Sequence, residues 1–416
     1  MEDFSGFYKL SAEERLAKVK KSANLTDEEA AVLMDSGALK MDRADKMVEN
    51  VIGAVHLPLG LATHFVVNGK AMVIPMAVEE SSVIAAACKA AKQTLPDGFK
   101  AEADESIMIG QIQLTAVDDA TKAVKNISLN RKEIMAIATQ LMKPHERFGC
   151  GARDFQARIL ETPRGSMVIV DFYIAVGDAQ GANMVNTVLE GVAPTLAKVT
   201  GAKVRLRIIS NLAVKRRARA SAVWKKDVIG EETVEGVLDA SEFARNDVYR
   251  CATHNKGIMN GIDAVALATG NDWRSVEAGA HSYASLGQYH PLTHYYKNEK
   301  GDLVGSIELP LAVATVGPAM NTSPTAKIAL KIMGVRSSRE LAMAMACVGL
   351  ANNFAALAAL STEGIQKGHM KLHARNIAIF AGADAEEAEK VAEIISAERN
   401  FDPEHAKEVL KRVRKG

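Results

Sequence analysis

Residues 167–183 read MVIVDFYIAVGDAQGAN, and this stretch decides the fold. Met167 to Val176 is rich in β-branched and aromatic residues, the composition of a strand. Gly177 to Gly181 is short and small, and Asp178 to Thr200 follows as a long helical pattern. Glycine and small residues at such a junction let a pyrophosphate approach the free N–H groups of the helix. The spacing is not the GxGxxG of a doubly wound nucleotide fold, and no P-loop occurs. Working outward, Thr162-Pro163-Arg164-Gly165 marks a turn back to a strand over Ala157 to Leu160. Before that come a helix over Arg131 to Met142 and a strand over Ile107 to Val117. Val204 to Ser210 closes the set. The order β-α-β-β-α-β is the split βαβ, ferredoxin-like pattern.

The flanking segments have a different, Ala/Gly-rich helical texture, so the ferredoxin-like unit reads as an insertion. Ser11 to Glu14 and Thr26 to Glu29 resemble capping boxes. Asn68-Gly69 separates two alternating segments and signals a hairpin. Glu80 to Lys92 reads as a helix, Leu292 to Tyr296 and Leu303 to Leu309 as a second hairpin, and Ser338 to Leu360 as long helix. Short helices fill the tail from about residue 377. The fold class is α+β, a large mixed unit with a small unit inserted.

At 416 residues, two or three domains are expected. The 51 basic and 50 acidic residues balance, which argues against nucleic acid or an anionic membrane as partner. The run Lys215 to Arg219 reads as a solvated edge. Four scattered cysteines form neither a CxxC pair nor a disulfide framework. The N-terminus lacks a signal peptide, and no apolar run reaches the length of a membrane span. These features describe a cytoplasmic chain with no membrane partner.

Four constellations carry chemistry. Glu79-Glu80-Ser81-Ser82 opens a helix, either as a cap or as a carboxylate in a site with Ser82 as hydrogen-bond donor. Asp178 to Asn183 is the junction described above. Gly364 to His373 places His369 and His373 one helical turn apart, the spacing of two metal ligands, but no third ligand is evident and no metal is expected. His369, between glycines, also suits a mobile general acid. Thr253 to Asp263 sets Lys256 among small, amide and apolar residues, with Asp272 a short segment later. The pair reads either as a structural ion pair or as a cation held for a developing oxyanion. Arg250, Lys256 and Asn260 together suit a carboxylate and a carbonyl.

Glu49 to Gly53, Val78 to Ser81, Asp178 to Asn183, Arg207 to Asn211, Thr253 to Asp263, Thr269 to Arg274 and Gly364 to Asn376 together resemble the hydroxymethylglutaryl-CoA reductases of the second class, found in bacteria and archaea. The resemblance spans nearly the whole chain. It implies a two-step, four-electron reduction of hydroxymethylglutaryl-CoA to mevalonate and CoA by two NAD(P)H. It also implies catalytic roles for Glu80, Lys256, Asp272 and His369, with Asp272 holding Lys256 and Glu80 in one network. Ser82, Asn211, Arg250 and Asn260 match positions that bind the acyl part, and His373 one near CoA. Asp178, Gly181, Asn183 and Lys143 fall where the dinucleotide binds. The implied architecture is a large acyl-CoA domain (1–105 and 216–365), a non-Rossmann dinucleotide domain (106–215) and a C-terminal flap (366–416). An obligate homodimer follows, with its active site at the subunit interface and higher assembly left open.

Two departures matter. Gln180 stands where the family usually has methionine. The segment Thr139 to Lys143 has no acidic residue to repel a 2′-phosphate, and Lys143, His145 and Arg147 would attract one. NADPH is therefore favoured over NADH, and aspartate in place of Met142 is the expected lever toward NADH. The same residues would serve a catabolic enzyme oxidising mevalonate. A non-catalytic acyl-CoA-binding relative would lack one of the four catalytic positions, and all four are present.

Overall fold

The computed structural model describes residues 4–35, 39–317, 323–362 and 374–414. Among these residues ten strands form two sheets: β1 (Leu59–Val67), β2 (Lys70–Ala77), β3 (Phe99–Ala103), β4 (Ile107–Thr115), β5 (Gly151–Leu160), β6 (Met167–Ala175), β7 (Lys203–Ser210), β8 (Arg217–Trp224), β9 (Thr293–Lys297) and β10 (Leu303–Pro310). The larger sheet has the order β2-β1-β3-β8-β10-β9, the smaller β5-β6-β4-β7.

The smaller sheet is antiparallel throughout. Its strand order and its helices Ala120–Leu129, Arg131–Met142 and Ala182–Thr200 give the ferredoxin-like topology. The Ala120–Leu129 helix is an addition to the sequence reading. All four strands lie in sequence between β3 and β8, which pair directly, with Ala103 opposite Ala218. The chain thus leaves the large sheet and returns at neighbouring points, a geometry that accepts an insertion without breaking the core.

The large sheet packs on helices. Ser338–Ser361 lies centrally against Ser81–Lys92, Glu231–Asn246, Val248–Ala268 and strands β3, β8 and β10. Close approach of two helices needs small residues at the crossing. A Cβ on Gly261 would lie 2.3 Å from Asn352 Oδ1, and one on Gly349 would lie 2.8 Å from Ile262 Cδ1. Trp224 is fully buried, donates to the Ala90 carbonyl at 3.1 Å, and stacks on Phe354.

Local signals in the chain are met. Both N-terminal capping boxes form, and Asn68 and Gly69 take positive φ in the β1–β2 turn. C-terminal helices Ala385–Ala397 and Pro403–Val413 pack on residues 374–380 around their own apolar cluster, including Ile377, Val391 and Leu410.

Three readings are corrected. The Ser338–Ser361 helix is long and apolar enough to cross a membrane, with 78% of its apolar window buried in the protein. Its hydrophobicity is that of a core helix. The basic run is no solvated edge: Arg216 is buried, and β8 sits inside the sheet. Arg217 bridges Asp104 and Glu308, while Arg219 bridges those two and Glu102. Met142 is 2% exposed in the small core, so aspartate there would bury a carboxylate before it changed cofactor preference.

Candidate active site

The Val248–Ala268 helix begins at Asp247, whose side chain accepts from Arg250 N at 2.7 Å. From that start Arg250, Thr253, Lys256, Gly257 and Asn260 follow helical spacing and share one face. That face lines a cleft of about 900 Å³. Apart from its own helix backbone and chain neighbours, nothing lies within 4 Å of where a Cβ on Gly257 would project, so the glycine leaves open space there.

The opposite wall comes from the Ser81–Lys92 helix. Glu80 occupies its N-cap position, yet its side chain caps nothing. Instead Ser82 Oγ donates to Glu80 Oε1 at 2.6 Å, and both residues line the cleft. Of the two readings of this glutamate, the cap is therefore wrong in geometry. Five residues singled out in sequence, Glu80, Ser82, Arg250, Lys256 and Asn260, share the cleft.

Sequence reasoning missed part of the lining. His254, Asn352, Asn353 and Lys89 also contribute. The adjacent amides Asn352 and Asn353, inside an otherwise apolar helix, were a visible signal. His254 is 1% exposed, and its Nε2 lies 2.6 Å from Thr293 Oγ1. Thr293 in turn donates to Asn353 Oδ1 at 3.0 Å. Burial, aided by the Arg250 charge, pushes the His254 pKa down to about 3, so it stays neutral beside the cations of the cleft.

Asp272 lies elsewhere. It caps the Trp273–Ala284 helix, accepting from Arg274 N, Ser275 N and Arg274 Nε. The expected network from Asp272 to Lys256 and Glu80 does not form within one chain. Twelve residues separate Lys256 from the end of its helix, about 18 Å of rise, and Asp272 follows that end. Asn211 lies with the Asp272 helix rather than in the cleft. Its carbonyl oxygen is 2.8 Å from where a Cβ on Gly279 would be.

The β6-to-helix junction adjoins this second group. Gly177 and Gly181 have φ of 59° and 98°, the left-handed region open to glycine. A Cβ on Gly181 would also meet Val176 at 2.4 Å. The Ala182–Thr200 helix starts without a side-chain cap. Its first N–H groups, with Asn183 in that turn, therefore suit an anion. Asp178 is committed structurally: its Oδ1 accepts from Ser338 N at 2.8 Å. Lys143, His145 and Arg147 are exposed on the turn Lys143–Phe148, and a Cβ on Gly177 would meet the Phe148 carbonyl at 2.6 Å. The basic turn and the junction are thus neighbours. His369 and His373 lie outside the described residues. Among the described residues no group of three or more His, Cys, Asp or Glu side chains could hold a metal ion.

A cleft with carboxylate, lysine and arginine, on a chain whose ferredoxin-like unit carries an anion-ready junction, suits an oxidoreductase with no doubly wound unit among its described residues. The family model for hydroxymethylglutaryl-coenzyme A reductase matches residues 11–374. A 3-hydroxy-3-methylglutaryl-coenzyme A reductase of Archaeoglobus fulgidus is 53% identical, over 98% of this chain and 94% of that protein. A probable one of Borreliella burgdorferi is 36% identical, over 80% of this chain and 77% of that protein. The class II enzyme of Streptococcus pneumoniae, solved bound to NADPH in open conformations, superposes with TM-score 0.82 at 37% identity, covering 97% of this chain and all of that one. The chain belongs to the hydroxymethylglutaryl-coenzyme A reductase family.

Proposed function

We propose that this chain reduces hydroxymethylglutaryl-CoA to mevalonate and CoA, with NADPH as the favoured donor, in the supply of isoprenoid precursors. The observation that carries the reading is the cleft, where Glu80, Ser82, Arg250, Lys256 and Asn260 converge. Arg250, Ser82 and Asn260 bind the hydroxymethylglutaryl carboxylate and hydroxyl, and His373 is the candidate for a CoA contact. Each NADPH supplies one hydride. Lys256 stabilises the negative oxygen formed when the thioester carbonyl is reduced to a hemithioacetal. The C–S bond then breaks, and His369 protonates the departing thiolate. Glu80 delivers the proton that completes reduction of mevaldehyde to the alcohol.

The separation of Asp272 from Lys256 supports a homodimer in which each site is shared. One protomer gives the acyl cleft; its partner gives Asp272, Asn211 and the dinucleotide junction with Asp178, Gly181, Asn183 and Lys143. Exposed apolar residues support a covered face: Ile52 is 99% and Val55 95% exposed on a segment that is neither helix nor strand. The proposed division is 1–105 with 216–365 for acyl-CoA and dimerisation, 106–215 for the dinucleotide and 366–416 for a closing flap. The exposed cations Lys143 and Arg147, with His145 beside them, favour the 2′-phosphate of NADPH.

The test is NADPH and NADH oxidation by purified protein, with and without hydroxymethylglutaryl-CoA. Substrate-dependent oxidation yielding mevalonate, faster with NADPH, is expected. Folded protein that oxidises neither would overturn the reading.

A further inference from the structure

Gln180 lies in the dinucleotide junction but reaches out of it. Its Nε2 donates to Ser275 Oγ at 3.3 Å. Ser275 Oγ donates its own proton to the Asp272 carbonyl at 2.9 Å, and Ser275 N reaches Asp272 Oδ1 at 3.4 Å. Ser275 therefore holds Asp272 by both its main chain and its side chain. With the hydroxyl proton committed, Ser275 Oγ can only accept from Gln180. The other end of Gln180 is fixed too. The buried Arg216 guanidinium donates to the carbonyls of Ala179 at 3.0 Å, Gln180 at 3.2 Å, and Val313. Among the described residues no carboxylate forms an ion pair with Arg216, and its terminal nitrogens donate to main-chain carbonyls instead. Asn271, next to Asp272, exchanges two hydrogen bonds with Ala314 (3.2 and 2.7 Å). The 313–315 segment thereby braces both groups, with Thr315 N also donating to the Asp178 carbonyl at 3.0 Å.

We infer that Gln180 is a positioning residue: it ties the dinucleotide junction to Asp272 through Ser275, so that hydride donor and acidic group are set relative to each other. The inference rests on the reductase reading. Gln180 touches no substrate atom in this role; it acts through Ser275. Because the link acts through Ser275 and touches no substrate atom, its loss should change turnover more than acyl-CoA binding.

Gln180→Met keeps length and unbranched shape but removes the donor. The expected result is a kcat about fivefold lower, the worth of one hydrogen bond. KM for acyl-CoA and the melting temperature should stay as in the unmodified protein. Gln180→Glu puts an acceptor against an acceptor near the Asp272 carboxylate, and should lower kcat further than methionine does. In a Ser275→Ala background, Gln180→Met should have no added effect on kcat, since the two act as one link. Unchanged kcat in Gln180→Met, a glutamate variant no worse than methionine, or additive effects in the double variant would each overturn the inference. The unmodified protein, assayed alongside, separates the cases: its failure to turn over hydroxymethylglutaryl-CoA removes the reading and this inference together.

Discussion

Lys256 and Glu80 show how side chains at ordinary positions become a site. Neither is deeply buried, since Lys256 is exposed and Glu80 half-buried. What distinguishes them is company: both face a cleft shared with Arg250 and Asn260. A cation placed where charge develops contributes most in the transition state. Lys256→Ala is therefore expected to lower kcat by about 10³-fold while CoA binding, measured by calorimetry, persists. Substantial remaining turnover would take the lysine out of the chemistry. The sequence made these residues legible because each lies in a dense, distinctive motif. It did not make Asp272's partners legible. The spacing of 256 and 272 suggests proximity, but a straight helix carries the chain away instead. The burial of Met142 was not legible for a related reason: position along a segment does not say which way a side chain points.

At the scale of elements, capping boxes, the Asn68-Gly69 turn and the split βαβ order were readable because each is a local pattern. Strands β3 and β8 were not. The alternation Arg217-Ala218-Arg219-Ala220 looks like solvated charge, and only pairing across β3 and β10 shows what it does. There burial pushes the Asp104 and Glu308 carboxyls up, but hydrogen bonds outweigh it and hold both below the usual range. Arg219 and Arg217 donate to Asp104; Tyr283 and Arg219 donate to Glu308. A depressed folded pKa stabilises the fold above the unfolded carboxylate value near 4, and that stability is lost as pH falls through the folded value. Glu308→Gln should lower the melting temperature at pH 7, with the gap to the unmodified protein narrowing below about pH 4. A gap that does not change with pH would mean the network contributes packing rather than charge.

At the scale of the whole molecule, the proposed reading places two half-sites on one chain. The cleft is built on helices of the large unit, Ser81–Lys92, Val248–Ala268 and Ser338–Ser361 among them, and the β6-to-helix junction lies where the inserted sheet meets the Asp272 helix. Arg216, Gln180 and Ser275 make the second half rigid without bringing it to the first. Neither half suffices for a hydride transfer that also needs an oxyanion partner and a proton donor. A second copy that supplies the missing half is the account's central claim, and closed twofold pairing would complete two sites at once. Mixed dimers test it directly. Lys256→Ala and Asp272→Asn are each expected to inactivate the protein when expressed alone. Co-expressed with different tags and purified as random assemblies, they should recover about one quarter of the unmodified activity. Half the dimers are hybrids, and each hybrid has one intact site. If both groups serve a site within a single chain, every site in the mixture lacks one of them, and the co-expressed protein will be as inactive as either parent.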